Sequence, residues 1–107
     1  GKDAALAEYM RKGSEFFDGE LYIFAYDNSG TVLSHGAKPK LAGKNLMRLK
    51  DAYGVKVIEE LNSLAQSGGG WLEYHWEHPI HKEVRPKLGY VLPVEGGWWL
   101  GSGMYKE

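Results

Sequence analysis

The last third of the chain is divided into three strand-like segments, and this feature restricts the fold more than any other. The segments cover residues 70–77, 85–93 and 98–105 and are rich in Trp, Tyr, Val and Leu. Aromatic and β-branched residues of this kind fit the pleated surface of a sheet. Because no helical segment separates these strands, they are predicted to pair antiparallel.

The first half of the chain adds a hairpin and two helical regions. Strands are predicted at 20–26 and 31–36, joined by a turn with glycine at its end. Apolar residues at helical spacing predict helices over 3–17 and 55–66, with a short helical turn at 45–50. Asn45 and Asp51 are the expected caps of the turn and of the following helix. The predicted fold class is α+β, with a five-stranded antiparallel sheet and helices packed on it.

Composition excludes several classes of protein. The chain of 107 residues is about one domain long and contains no cysteine, so disulfides and thiolate zinc sites are excluded. Thirteen Lys and Arg residues against fourteen Asp and Glu residues do not form the basic footprint of a nucleic-acid binder. No apolar run approaches the roughly 18–20 residues of a membrane span, so membrane attachment is expected only through flanking segments.

Motifs typical of enzymes and cofactor sites are not matched. The segment Gly36–Lys44 has the wrong glycine spacing for a phosphate loop and is interrupted by Pro39. Gly101 and Gly103 lie in a predicted strand, where they are flat positions against which a ring or another backbone packs. No nucleophile elbow or pair of carboxylates is present. No cofactor and no catalytic residue are predicted.

Three histidines at a spacing of three residues form the only candidate metal motif. His75 belongs to a predicted strand, and Pro79 separates it from the loop that carries His78 and His81. Strand alternation and the proline disperse the three rings. We therefore predict that they do not share one metal ion.

Three aromatic side chains and one lysine lie close together in sequence on the predicted strands 70–77 and 85–93. Tyr74 and Trp76 are two residues apart and share one face of their strand, and Lys87 and Tyr90 follow on the next strand. An ammonium group and phenol hydroxyls in an apolar pocket suit a small carboxylate ligand. Lys87 and Tyr90 are three residues apart, so a regular strand would point them to opposite faces. The alternative is that the two rings are core residues and that Lys87 is exposed.

The chain resembles a single Cache domain, the extracytoplasmic sensor module of bacterial and archaeal signalling proteins. The resemblance lies in seven stretches, which follow one another in the same order as in the family. The stretches together span about residues 19–105. They are Gly19–Phe24, Gly30–His35, Gly43–Leu46, Leu49–Gly54, Gly69–Trp76, Pro86–Val91 and Trp98–Tyr105.

The resemblance implies a PAS-like single Cache fold over residues 1–107, with a longer N-terminal helix behind the sheet and short helices covering a pocket. The resemblance also implies a small-molecule ligand, since family members sense small molecules that are often short carboxylates such as acetate, pyruvate, lactate or propionate. Carried over residue by residue, the resemblance implies a ligand site at positions on several elements. These are Tyr22, Phe24, His35, Leu46, Met47, Leu49, Tyr74, Trp76, Lys87 and Tyr90.

The function that follows is an extracytoplasmic sensor domain that reversibly binds a small organic acid and is not an enzyme. A homodimer through the N-terminal helix is one expected arrangement. A free-standing periplasmic binding protein is the alternative, and membrane spans in the flanking sequence would distinguish the two. A small enzyme that uses His35 and Tyr74 as acid and base is a third, weaker hypothesis.

Overall fold

A five-stranded antiparallel sheet forms the centre of the computed structural model, which describes residues 1–11, 17–18 and 20–106. The elements are α1 (Lys2–Met10), β1 (Phe17–Asp18), β2 (Leu21–Tyr22), β3 (Phe24–Asp27), β4 (Val32–His35), a 3-10 helix (Pro39–Leu41), α2 (Val57–Gln66), β5 (Gly70–Glu77), β6 (Val84–Val94) and β7 (Trp98–Tyr105). The strand order is β4-β3-β7-β6-β5, and β1 and β2 form a separate two-stranded hairpin. The predicted α+β fold class is confirmed.

Tight turns set the register of the sheet. At the β3–β4 turn, Asp27 Oδ1 accepts hydrogen bonds from the backbone N–H groups of Ser29 and Thr31 at 2.9 and 3.0 Å. Gly96 and Gly97 connect β6 to β7 with φ angles of +107° and +85°, a region that side chains with a Cβ rarely adopt. Strand β7 then lies between β3 and β6 at the centre of the sheet.

Each face of the sheet is covered by one helix. On one face, α2 buries Val57, Ile58 and Leu61, as its apolar stripe predicts. On the other face, Leu6 of α1 packs in a cluster with Ala25 and Trp98. The buried Ser34 hydroxyl donates to the Leu6 carbonyl oxygen at 2.7 Å, which joins α1 to β4.

The predicted strands agree closely with the observed ones except at the first. Residues 70–77 and 98–105 are strands with these bounds, and 85–93 extends by one residue at each end. The segment predicted as one strand over 20–26 is divided at Ile23. Tyr22 pairs with Phe17 in the small hairpin, whereas Phe24 pairs with β4 and β7, so the chain changes partners between them.

The predictions for the loop before α2 were wrong in two places. Residues 45–50 form no helix but only a turn, in which the Leu49 N–H bonds the Leu46 carbonyl oxygen. Asn45 Oδ1 accepts the Met47 N–H at 3.0 Å, as a cap would, while its amide nitrogen donates to the Ser29 carbonyl oxygen and the Thr31 hydroxyl. Asp51 does not cap α2, which begins only at Val57. Its carboxylate instead accepts N–H bonds from Tyr53, Val55 and His75, and so attaches this loop to the edge strand β5.

The predicted helix over 3–17 is shorter in the structure. It ends at Met10, and Arg11 already has an extended backbone with ψ 122°. Phe17 and Asp18 are in strand conformation because they pair with β2. The part of the prediction that falls on residues 12–16 lies outside the described residues.

Candidate ligand-binding site

A narrow cavity lies between the sheet and α2, with an empty volume of about 190 Å³. This volume is below the few hundred cubic ångströms usual for small-ligand pockets, so a short organic acid enters only if the lining moves apart. The lining consists of rings, aliphatic side chains and one amine: Tyr22, Phe24, Tyr26, His35, Val57, Ile58, Leu61, Tyr74, Trp76 and Lys87.

Lys87 is the only ammonium group in this lining, and it is 1% exposed. Its Nζ donates to the Tyr22 hydroxyl at 2.9 Å and lies 4.3 and 4.9 Å from the ring centroids of Tyr22 and Phe24. No Asp or Glu of the described residues forms an ion pair with it. Burial lowers the pKa of Lys87 to about 7, because the charged form is poorly solvated there.

The tyrosines next to Lys87 form a hydrogen-bonded chain with a defined direction. Tyr105 donates its hydroxyl proton to the Glu77 carbonyl oxygen at 2.8 Å. Its oxygen must therefore accept the Tyr22 proton across the 3.2 Å between the two hydroxyls, and Tyr22 in turn accepts from Lys87. Burial raises the pKa of Tyr22 and Tyr74 far above the usual range of a phenol. Both hydroxyls consequently stay protonated at any physiological pH.

His35 is a neutral hydrogen-bond donor in the same cavity lining. It is 1% exposed, and its Nδ1 accepts the backbone N–H of Lys38 at 3.0 Å. Burial, with Lys87 nearby, lowers the pKa of His35 to about 3, so the ring is uncharged near neutral pH. Since Nδ1 is an acceptor, the proton is on Nε2, which is then a hydrogen-bond donor.

Glycines on two central strands make room for the rings. A Cβ at Gly101 would lie 2.2 Å from a ring carbon of Phe24, and one at Gly89 would lie 2.8 Å from a ring carbon of Tyr74. A Cβ at Gly103 would lie 2.5 Å from the Leu88 carbonyl oxygen. The prediction that Gly101 and Gly103 are flat positions is therefore confirmed.

Gly101→Ala is expected to destabilise the protein by about 1–3 kcal/mol, because an overpacked site must displace a ring or the backbone. Urea denaturation measures the change. Met104→Ala, on the same strand but at a side chain 51% exposed, is the control and should stay within about 0.5 kcal/mol. An equal change in the two variants would show that Phe24 moves aside without cost.

The structure brings six of the ten predicted site residues together around the cavity. They are Tyr22, Phe24, His35, Tyr74, Trp76 and Lys87. The other four do not line it. Leu46 packs against the core from the loop side, and Met47 lies against Gly30. Leu49 lines a separate surface groove, and the Tyr90 ring packs on Trp71. Strand β6 is regular, so Lys87 and Tyr90 face opposite sides of the sheet, as simple alternation requires.

Some lining residues were not predicted as site residues, although the sequence pattern around most of them indicates that they face the cavity. Tyr26 continues the alternation of Tyr22 and Phe24. Val57, Ile58 and Leu61 form the apolar stripe of α2. Tyr105, which is next to this lining, lies opposite Lys87 in the β6–β7 hairpin, a register that the turn at Gly96 and Gly97 fixes locally. Its hydrogen bond with Tyr22, 83 positions away, has no local signal.

The three histidines lie in different environments. His75 is 3.6 Å from the Asp51 carboxylate and stacks near the Tyr53 ring. His78 is buried, with its Nε2 2.9 Å from Glu20 and its ring 4.7 Å from that of His81. Among the described residues no group of three or more His, Cys, Asp or Glu side chains could hold a metal ion. The absence of a shared metal remains a prediction.

Comparison with known proteins assigns a family to this arrangement. The family model of single Cache domain 2 matches residues 3–107. The sensor histidine kinase MctS of Rhizobium johnstonii is 35% identical over 87 residues, which are 80% of this chain and 19% of that protein. The chain thus spans less than a fifth of the length of this relative.

Two solved structures are similar over almost the whole chain. A methyl-accepting chemotaxis protein from Vibrio parahaemolyticus is 40% identical with a TM-score of 0.88, over 97% of this chain and 69% of the other. A Cache chemosensory domain, described for its carboxylic acid recognition, is 32% identical with a TM-score of 0.87, over 99% of this chain and 71% of the other. None of the helices among the described residues is long and apolar enough to cross a membrane. The chain belongs to the single Cache domain 2 family of sensor domains.

Proposed function

We propose that this chain is the ligand-recognising domain of an extracytoplasmic signalling protein and reversibly binds a short organic acid of the acetate, propionate, pyruvate or lactate class. The observation that carries the proposal is the buried Lys87 amine, which has no acidic partner among the described residues. A buried charge without a counterion is costly, and a small anion removes that cost. The similarity to a Cache domain that recognises carboxylic acids supports the same ligand chemistry.

The cavity offers a carboxylate both charge and directed donors. An ammonium group has three N–H donors, of which Lys87 uses one on Tyr22 and leaves two for ligand oxygens. The Nε2–H of His35 and the hydroxyl of Tyr74 belong to the same cavity lining. The surrounding rings and the apolar face of α2 exclude water, which strengthens each of these bonds.

The pKa values of His35 and Tyr74 argue against a role for this pair as catalytic acid and base. General acids and bases work best with a pKa near the operating pH. His35, with a pKa of about 3, and Tyr74, with a pKa raised well above 10, both lie far from it. We therefore propose a binding domain without enzymatic activity. Dimerisation through the N-terminal helix and a free-standing periplasmic role remain predictions to be tested on the whole protein.

Matched acids and amides test the proposal directly. Acetate and acetamide, or propionate and propionamide, have nearly the same shape, but only the acids carry the charge that Lys87 would bind. In a thermal-shift screen followed by calorimetry, a true ligand at 100 times its dissociation constant adds about 2.7 kcal/mol of stability. The acids are expected to stabilise the protein and the amides are not. Equal shifts for acid and amide, or no shift with any short acid, would overturn the proposal.

A further inference from the structure

One side chain, Trp76, separates the cavity from a groove on the surface. Its ring lines the cavity and also lines an outer groove, formed with Lys38, Leu41, Leu49 and Lys50 among others. Two other grooves, one near Trp98 and one near His78, share no side chain with the cavity. Trp76 is only half-buried, whereas most of the other side chains that line the cavity are fully buried.

Trp76 takes part in a contact between the two edges of the sheet. We call this contact the clasp; it consists of the His35 and Trp76 rings and the Lys38–Glu77 ion pair. Strands β4 and β5 are the opposite edges, yet the ring of His35 at the end of β4 stacks near that of Trp76 on β5, with centroids 6.3 Å apart. The ion pair of Lys38 with Glu77 joins the same two edges, since Lys38 follows β4 and Glu77 is the last residue of β5. The backbone N–H of Lys38 also bonds His35, so Lys38 links this ring to the ion pair.

This clasp is the part of the cavity wall that can open at the lowest cost. The sheet cannot part without breaking its backbone hydrogen bonds, and α2 cannot lift without exposing Val57, Ile58 and Leu61, which are at most 1% exposed. The Lys38 and Glu77 side chains are 38% and 32% exposed, and ion pairs with this degree of exposure contribute little to stability. Rotation of Trp76 into the outer groove, with separation of this pair, costs the ring contacts of Trp76 with His35 and Tyr74 but no backbone hydrogen bond of the sheet.

We propose that Trp76 is the gate of the cavity, held closed by the Lys38–Glu77 ion pair, and that the outer groove is the vestibule through which a small anion reaches Lys87. The exposed Lys50 in the vestibule has no ion pair with any of the described residues, so it is available to an arriving anion. That the passing anion is a carboxylate rests on the proposed function. The existence of the path through the vestibule does not depend on the proposed function.

Carbamylation of Lys87 by cyanate measures the path independently of any carboxylate. The unprotonated amine adds to the carbon of isocyanic acid, one N–C bond forms, a proton moves to the reagent nitrogen, and nothing leaves. Peptide mass spectrometry follows Lys87 at pH 8, with the exposed Lys40 as an internal reference for reagent reactivity. The two test variants are Trp76→Ala, which removes the gate, and Glu77→Gln, which weakens its closure.

Each variant has a matched control on the same strand. Trp71→Ala removes a tryptophan that is 55% exposed on the other face, and Glu73→Gln breaks the pair of Glu73 with Lys106. We expect Trp76→Ala to accelerate carbamylation of Lys87 by about ten-fold, and Glu77→Gln by about two- to five-fold, the factor for loss of a weak ion pair. Both controls should react at the wild-type rate.

A low concentration of urea distinguishes the gate from unfolding. Local openings expose little surface and depend weakly on denaturant, whereas global unfolding depends on it strongly. The expected rate for Lys87 is therefore independent of urea well below the unfolding transition. Unchanged rates in both test variants, or a steep dependence on urea, would overturn the gate. Neither result would affect the acid and amide comparison, which tests the ligand class alone.

Discussion

Lys87→Met is expected to weaken binding of a short carboxylate by about ten- to a hundred-fold while the fold is retained. Hydrogen bonds to a charged partner contribute about 1.5–3 kcal/mol, which corresponds to this range. Methionine has a similar length and is compatible with the surrounding rings. Calorimetric titration with acetate, propionate, pyruvate and lactate measures the loss.

The same substitution should also raise the unfolding temperature at pH 6. Below its pKa of about 7 the native protein carries a buried ammonium group without a counterion, and methionine removes that cost. Lys44→Met, at an exposed lysine that lines neither the cavity nor the outer groove, is the control and should change neither property much. If Lys87→Met binds acids as tightly as the wild type, the anion partner is not this lysine, and His35 or backbone N–H groups become the candidates.

Carboxylate affinity is expected to fall as the pH rises through about 7. The anion requires the protonated amine, and the pKa of Lys87 in the unliganded site is about 7. The dissociation constant should be flat well below this value and rise by about ten-fold per pH unit above it, which gives about a hundred-fold at pH 9 relative to pH 6. Titrations across this range measure the profile.

The stability of the unliganded protein should show the opposite trend in that range. The unfolded chain keeps the ordinary lysine pKa near 10.4, so between about pH 7 and 10 the unfolded state binds more protons than the folded state. The contribution of Lys87 to the unfolding free energy therefore increases with pH over this window. Lys87→Met is the control for both profiles and should remove both slopes. A pH-independent affinity in the wild type would contradict the assignment of Lys87 as the anion partner.

The proposed anion partner, Lys87, is a residue whose burial local patterns do not predict. Lysine is among the residues least often buried, so its position in a strand predicts an exposed side chain. The opposite holds here because Gly103 on β7 leaves room for the lysine side chain, since a Cβ there would lie 3.1 Å from the Lys87 Cε. The Nζ is surrounded by Tyr22, Phe24 and Tyr105. The resemblance to the Cache family indicated Lys87, whereas spacing on the strand left its burial open.

Local patterns along the chain determined the elements of the sheet and the apolar face of α2. Strand alternation from Gly70 to Tyr105 sets which side chains face the cavity, and period-2 geometry alone separates Lys87 from Tyr90. These features were predictable because each depends on neighbours within one strand or helix. The turn residues Asp27, Gly96 and Gly97 likewise act through their own local backbone.

Tertiary structure alone decided which of these side chains meet. The sequence predicts Asn45 and Asp51 as helix caps, whereas in the fold Asn45 also bonds Ser29 and Asp51 also bonds His75, which are distant in the chain. The contact of His35 with Trp76 joins the two opposite edges of the sheet. The hydrogen-bonded chain from Lys87 through Tyr22 to Tyr105 likewise links residues 65 and 83 positions apart. A polar side chain binds whichever buried partner the fold brings to it, and the burial that shifts the pKa of Lys87 exists only after the distant strands have packed together.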